Sequence, residues 1–358
     1  MGSLSQITWE EFQGLDLAAK APYLTLDGRP YHVLLAHQFS RRQLDDLGLL
    51  ATQIRFIAKT KTGMAILQGL LPHKRAMLYF TQPSTRTFLS FCAACQIVGM
   101  RIGEVRDPST SSEIKGESQE DSFRTFSSYF DVIVMRTGTS GLAEKMAWML
   151  SNSERPVPVI NAGSGKDQHP TQALLDIYTL QRSFERRGGI DGKSIVFVGD
   201  LARGRTVRSL ASLLTNYSGV TQYFVAPRPF QIGQDILAML RGKGVKHEVS
   251  EDFHSLVPLA DAIYMTRIQD EWDAEKGESS RVDISRYSFG VEQLALLKSD
   301  AVILHPLPRR HEISAEVDHD PRAVYWRQMR NGMWIRAALF ATIFGCDLEI
   351  RDYYEDNL

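Results

Sequence analysis

Four consecutive residues, Ser84, Thr85, Arg86 and Thr87, could together hold an anion, because they combine hydroxyls, a guanidinium and backbone N–H groups. They follow the apolar run Ala76–Phe80 and open a mostly apolar stretch to Val98. A strand then delivers them to a helix N-terminus, where backbone donors and the positive end of the dipole favour a phosphate. The same four residues also suit an ordinary helix start, since Ser and Thr are common N-caps. Arg136 ends a second apolar run and reads, on its own, as either an anion ligand or a surface ion pair. His169 and Gln172 stand three apart at the start of a helix running from Thr171 to Arg182, which turns a donor and an amide toward one spot. A lone His before Pro is otherwise a loop residue.

These residues need a scaffold, and the hydrophobic pattern supplies one. Strand-like runs at Ala76–Phe80, Val132–Met135, Val157–Ile160, Ile195–Val198, Tyr223–Ala226, Ala262–Met265 and Ala301–Leu304 alternate with longer helical patterns. That alternation predicts α/β architecture with doubly wound parallel sheets. Most of the runs end in polar clusters, and ligands of open α/β sheets bind beyond the carboxyl ends of strands. The Gly/Ser/Asp-rich segment from Asn161 to Gln168 reads as a hinge, and Asp270–Ser280 reads as an exposed, solvated loop.

The chain has 358 residues, more than one ordinary core requires at roughly 100–200 residues per domain, so two domains are expected. Its 41 Lys and Arg against 42 Asp and Glu leave a formal charge of −1, which provides no global field for nucleic acid or an anionic membrane. Three cysteines do not make a disulfide framework and fit a reducing compartment. Cys92 and Cys95 read as core packing, with no second pair to complete a zinc site. The opening MGSLSQ shows no apolar leader core, and Gln6 stands where a myristoylation pattern wants Ser or Thr, so no targeting signal and a cytoplasmic location are expected. Met333–Phe344, interrupted by Arg336, falls far short of the ~20 residues that span a bilayer and reads as a docking helix.

Seven motifs occur in order: STRT (84–87), KGES (115–118), VMR (134–136), HPTQALLD (169–176), GDLARGRTVRSL (199–210), YMTRIQ (264–269) and HPLPR (305–309). Over about residues 31 to 350 the chain resembles the aspartate carbamoyltransferase family. The resemblance implies a carbamoyl-phosphate domain of residues 1–170 plus 331–358, with 1–30 as an N-terminal extension, and an aspartate domain of 171–330, linked by helices. It implies that Ser84, Thr85, Arg86 and Thr87 cradle the phosphate, and that Thr87, Arg136 and His169 stabilise the carbonyl oxygen as it gains charge. By the same resemblance Gln172 holds the carbamoyl NH2, and the HPLP segment, with Pro306, Leu307 and Pro308, faces that NH2 and the attacking amine through backbone carbonyls. The Leu307–Pro308 bond is expected to be cis, as in relatives. L-Aspartate carries two carboxylates, which suit paired guanidinium forks. The resemblance gives these to Arg205 for the α-carboxylate and to Arg267 with Gln269 for the side-chain carboxylate, while Arg203, Arg208 and Arg228 read as surface salt bridges. Lys115, by itself a solvated loop lysine, and Ser111 are implied to cross into the active site of a neighbouring subunit, hence a homotrimer. No metal, cofactor or protein nucleophile is called for, and any regulatory partner is left open.

The family pattern continues STRT with Arg and places Glu four residues later, where this chain has Phe88 and Cys92. Losing both partners of an i, i+4 pair fits repacking, because no buried charge is stranded. Arg136 is followed by Thr137-Gly138 instead of the His-Pro of many relatives. Three rival readings are transfer to ornithine or an acylated ornithine, a noncatalytic scaffold homologue, and a nucleotide-binding oxidoreductase. The first expects a cysteine in the HPLP motif, the second expects loss of Arg86, Lys115, His169 or Arg267, and the third expects G-x-G-x-x-G where this chain has GDLARG.

Overall fold

The computed structural model describes residues 3–107, 116–165, 168–273 and 282–357. In chain order the first part contains α1 (Trp9–Gly14), α2 (Leu17–Lys20), the small hairpin β1 (Thr25–Leu26) and β2 (Arg29–Pro30), α3 (Arg41–Ile57) and α4 (Lys61–Gln68). There follow β3 (Arg75–Phe80), α5 (Thr85–Ile97), β4 (Arg101–Val105), α6 (Gln119–Tyr129), β5 (Val132–Thr137), α7 (Leu142–Ser151), β6 (Val159–Ser164) and α8 (Pro170–Phe184). The second series runs β7 (Ser194–Val198), α9 (Arg205–Leu214), β8 (Thr221–Val225), α10 (Gln234–Gly242), β9 (Lys246–Ser250), α11 (Phe253–Leu256), β10 (Ala262–Met265), α12 (Val291–Leu296) and β11 (Val302–Leu304). Helices α13 (Tyr325–Phe344) and α14 (Asp347–Asn357) end the chain. Among the described residues no helix is long and apolar enough to cross a membrane.

Two compact units result, Met1–Leu175 with Arg330–Leu358, and Asp176–Met329. Each holds one fully parallel sheet, ordered β4-β3-β5-β6 in the first and β11-β10-β7-β8-β9 in the second. The central strands are apolar on both faces, as burial on both sides demands: Met77, Tyr79, Ile133 and Met135 enter one core, Val196, Val198, Ile263 and Ile303 the other. The sequence pattern missed β4 and β9. Both are edge strands, with the polar sequences RIGEV and KHEVS, and edges carry charge because half their surroundings is water.

The glycine-rich segment is not a hinge along its whole length. Its first four residues, Asn161 to Ser164, form the buried end of β6, where Asn161 Nδ2 donates to Leu34 O and Ser164 Oγ and its Oδ1 accepts from Gly163 N. The chain passes between units within α8, after Leu175, and within α13, after Met329. The N-terminal extension is folded onto the first unit. Leu4, Phe12 and Leu24 are buried in its core, Trp148 Nε1 donates to Ile7 O, and Lys20 pairs with Glu144 at 2.6 Å. Burying a side chain such as Phe12 contributes about 1.5–3 kcal/mol, more than enough to hold short helices that could not persist alone.

His32, just after this extension, is wholly buried. Its Nδ1 accepts from Val159 N at 3.1 Å, so the neutral ring carries its proton on Nε2 and donates to Ser151 Oγ at 2.9 Å. Burial pushes its pKa down to about 3 from 6.5. The folded state therefore binds fewer protons than the unfolded state at any pH between those values, and stability falls as pH drops below 6.5. Between pH 7 and pH 5 this group alone should cost about 2 kcal/mol. Denaturant melts of the wild type and His32→Gln at both pH values check it, with the variant expected to show the smaller acid loss.

Candidate active site

A doubly wound sheet opens a crevice where strand order reverses, at the carboxyl ends of the two strands that lead in opposite directions. In the first unit that point lies between β3 and β5, and in the second between β7 and β10. The candidate residues sit there. Ser84–Thr87 follow β3, Arg136 is the penultimate residue of β5, and His169 and Gln172 follow the adjacent β6. Arg205 follows β7, Arg267 and Gln269 follow β10, and Pro306–Pro308 follow the adjacent β11. Ser111 and Lys115 lie outside the described residues.

In the first unit, Arg136 pairs in register with Phe80, and its carbonyl accepts from Thr81 N at 3.0 Å, which fixes the loop after β3 to the end of β5. Its Nη1 donates to Ala162 O at 3.0 Å on β6, so the side chain spans from β5 to β6 as more than a surface ion pair. Ser84 is the N-cap residue of α5 but makes no side-chain cap hydrogen bond. Ser84 therefore starts the helix through its backbone, with its hydroxyl outside the capping hydrogen bonds. Thr87, His169 and Gln172 are buried, Arg86 is exposed, and His169 O accepts from the N–H groups of Gln172 and Ala173 as α8 begins at Pro170. Phe88 stands edge-on to Phe80 with centroids 5.4 Å apart, and the Arg106 guanidinium lies 4.4 Å from its ring. The start of α5 is thus packed with an aromatic pair and a cation from just after β4. Cys92 follows on the same helix; burial, with Glu104 adding to it, raises its thiol pKa.

In the second unit, Gly199 has φ +114°, and a Cβ there would lie 2.1 Å from Thr266 O, so only glycine lets the ends of β7 and β10 approach. The next residue, Asp200, is fully buried and joins the two loops: Oδ1 accepts from Arg203 N at 3.1 Å and Oδ2 from Gln269 N at 3.1 Å. Burial raises its pKa against the pull of those two donors. Sequence reasoning gave Asp200 no role, although a carboxylate closing an apolar strand has to find donors. Arg203 departs from the surface reading. It is largely buried, pairs with Asp273 at 2.7 Å and donates to Gln269 O at 3.2 Å. Arg208 and Arg228 do form surface pairs, with Asp235 and Glu251.

Arg267 presents a fork to Glu271, donating from Nη1 at 2.8 Å and from Nη2, and Arg310 reaches Asp270 at 2.8 Å. Burial would raise the Glu271 carboxyl, but Arg267 holds it below the usual range. The start of the segment expected to be merely solvated is therefore anchored by three arginines; residues 274–281 lie outside the described residues. Leu307–Pro308 is cis, and Leu307 has φ +56°, a left-handed conformation that costs a non-glycine residue about 1–2 kcal/mol. Leu307 N donates to His305 Nδ1 at 2.7 Å, and His305 Nε2 donates to Glu312 at 2.7 Å. Burial lowers the His305 pKa; burial would raise Glu312, but the hydrogen bond from His305 keeps it low. The pair is a neutral imidazole and a carboxylate.

The residue types at each switch point suit anions: hydroxyls, Arg86, Arg136 and His169 in the first unit, and Arg205 and Arg267 in the second. The fold defines a two-unit α/β protein of the doubly wound class, with candidate ligand residues at each switch point. Residues 31–182 match the family model "Aspartate/ornithine carbamoyltransferase, carbamoyl-P binding domain", and residues 191–343 match "Aspartate/ornithine carbamoyltransferase, Asp/Orn binding domain". The chain is 41% identical over 312 residues to aspartate carbamoyltransferase 1, chloroplastic, of Pisum sativum, covering 87% of this chain and 78% of that protein. It is 39% identical over 313 residues to the aspartate carbamoyltransferase catalytic subunit of Vibrio cholerae, covering 87% and 96%. It is similar to the aspartate transcarbamoylase of Trypanosoma cruzi crystallised with N-(phosphonacetyl)-L-aspartic acid, with TM-score 0.78, 34% identity and coverage of 87% and 95%. The chain belongs to the aspartate/ornithine carbamoyltransferase family.

Because Asp200 uses separate oxygens for two backbone donors, Asp200→Asn keeps one acceptor and turns an NH2 toward the other N–H. An unsatisfied buried pair of this kind costs about 1–3 kcal/mol. Denaturant melts should show that loss, and kcat/KM for the amino-acid substrate should fall further than that for the phosphate-bearing substrate.

Proposed function

We propose that the chain transfers the carbamoyl group of carbamoyl phosphate to the amine of L-aspartate, giving N-carbamoyl-L-aspartate and phosphate, a step of pyrimidine biosynthesis. One observation supports the reading: the residues proposed for the phosphate and carbamoyl group, and those proposed for the two carboxylates, each stand at the carboxyl ends of three adjacent parallel strands. The residues retained at those places are Arg86, Arg136 and His169 in one unit, and Arg205, Arg267 and Gln269 in the other.

In this reading Ser84, Thr85, Arg86 and Thr87 hold the phosphate, and Gln172 orients the carbamoyl NH2. The neutral aspartate amine attacks the carbamoyl carbon, and an N–C bond forms. Thr87, Arg136 and His169 stabilise the developing oxyanion. The C–O bond to phosphate then breaks, and the departing phosphate takes the amine proton, so no side chain need act as nucleophile. Arg205 and Arg267 receive the two carboxylates. The planar guanidinium of Arg267, whose fork holds the Glu271 carboxylate in this structure, suits a substrate carboxylate in that place in a way a lysine would not. The backbone carbonyls of Pro306 and Leu307, with Pro308 fixing the turn, face the NH2 and the amine. The first unit serves carbamoyl phosphate and the second serves aspartate.

Ser111 and Lys115 complete the site of a neighbouring subunit, which makes the assembly a homotrimer. The cytoplasm is the proposed location, supported by three free thiols, Cys92, Cys95 and Cys346. The pea relative is named chloroplastic.

Side-by-side assays of carbamoyl phosphate with aspartate, ornithine and N-acetylornithine should show turnover of aspartate alone. Turnover of ornithine without aspartate would sink the substrate assignment. Arg267→Lys keeps the charge and loses the fork, so KM for aspartate should rise at least about tenfold, with KM for carbamoyl phosphate little changed. For the shared site, mixing Lys115→Ala with Arg86→Ala subunits should restore part of the activity that neither has alone. No recovery after verified subunit exchange counts against it.

A further inference from the structure

Gln328 lies on α13 and is 1% exposed, and its amide hydrogen-bonds to two groups to which the proposed chemistry gives no direct part, the His305 N–H and Asp176. Its Oε1 accepts from His305 N at 2.9 Å. Its Nε2 donates to Asp176 Oδ1 at 2.7 Å, and Asp176 Oδ2 accepts from Tyr264 Oη at 2.8 Å. Asp176, Tyr264 and His305 are all buried to within 1% of complete exclusion. Four elements of the second unit are thereby joined: α8 at Asp176, β10 at Tyr264, α13 at Gln328 and the end of β11 at His305.

The direction of every bond in this chain is dictated. An ionised carboxylate only accepts, so Asp176 forces the NH2 of Gln328 toward itself, and the amide oxygen must then face the other way, toward the His305 N–H. If the amide turned over, two N–H groups would meet at His305 and two oxygens at Asp176. His305 is held on its far side as well, with Nδ1 accepting from Leu307 N and Nε2 donating to Glu312. Its peptide and the two that follow are thus clamped from both ends. Those peptides carry the carbonyls of Pro306 and Leu307.

We infer that Gln328 is a positioning residue for the reaction, locked in one amide orientation by Asp176, and that it aims the Pro306 and Leu307 carbonyls at the carbamoyl NH2 and the attacking amine. This rests on the substrate reading given above. Gln328 contacts no substrate; it acts through His305. Preorganised acceptors matter most where the amine must approach in one direction, so disturbing them lowers kcat more than it weakens the phosphate contacts on the other unit.

The discriminating comparison is between Asp176→Asn and Asp176→Leu, with Gln328→Met as the near-isosteric loss of both bonds. In Asp176→Asn the remaining side-chain oxygen can still accept from Gln328 Nε2, and the new NH2 can donate to Tyr264 once that hydroxyl rotates, so the lock survives without the charge. Asp176→Leu removes it. In the full-length enzyme, with folding verified by near-UV circular dichroism, Gln328→Met and Asp176→Leu should each lose about tenfold in kcat, with KM for carbamoyl phosphate within about threefold of wild type. Asp176→Asn should stay within about threefold in both. A purely structural role would lower the amount of folded enzyme without this split or the rescue by the Asn substitution.

Hydrogen exchange measured on the peptide spanning 303–309 gives a readout independent of turnover. Exchange there should rise at least about tenfold in Gln328→Met and Asp176→Leu, and stay near wild type in Asp176→Asn. Wild-type exchange in folded Gln328→Met, or indistinguishable behaviour of Asp176→Asn and Asp176→Leu, overturns the inference. Should Asp176→Leu fail to fold, the exchange and kcat of Gln328→Met against Asp176→Asn decide it in the same way. If the wild type does not carbamoylate aspartate, the substrate reading falls, while the exchange data still decide whether Gln328 fixes the loop.

Discussion

Parallel strand pairing at two reversals of strand order is the constraint on which everything else depends. In a parallel sheet all strands end on one edge, and a reversal separates two neighbouring loops that would otherwise pack together. Pairing of Ala76–Phe80 with Val132–Arg136, and of Ile195–Val198 with Ala262–Met265, therefore decides which loops can converge. Their sequences are apolar on both faces because both faces are covered, and the candidate site residues stand at or just beyond their carboxyl ends.

Charge in this chain is local and largely neutralised by design of the loops. A net charge of −1 gives no long-range attraction, yet arginines crowd the switch point of the second unit. Arg203, Arg267 and Arg310 each have a carboxylate partner, Asp273, Glu271 and Asp270. Such pairs add little stability where they are half exposed. Their effect is geometric: they hold the segment after β10 against the loops after β7 and β11, and keep guanidinium planes in fixed orientations. Buried Asp200 does the same with backbone donors. The left-handed Leu307 is held in the same manner, by its own N–H bonded to His305.

The strong periodic elements were legible in the sequence. Seven apolar runs marked seven of the nine strands of the two large sheets, with small shifts such as β6 starting at Val159. Edge strands β4 and β9 were not legible, because their polar residues obey the demands of a solvent-facing edge. The segment from Asn161 carries the composition of a linker but is a strand end, since Asn161 satisfies its buried amide through Leu34, Ser164 and Gly163. Composition cannot reveal that satisfaction. The N-terminal extension looked featureless for a related reason: its apolar residues are sparse, and they matter only because Trp148 and the core beneath α7 receive them.

By itself the sequence determined the class of fold, the places along the chain where candidate ligand-binding groups stand, and the motif order that marks the family. These follow from hydrophobic period and residue chemistry, which are local. Only the tertiary structure decided which of those groups share an edge, that Arg203 is an internal tie and not a surface pair, and that Asp200, Asp176, Gln328 and Glu312 support the loops. Each of these depends on hydrogen bonds between residues that are in several cases more than sixty positions apart, as Asp200 and Gln269 or Asp176 and Gln328 are. A buried polar group shows its type in the sequence, but its partner exists only once the chain has closed around it.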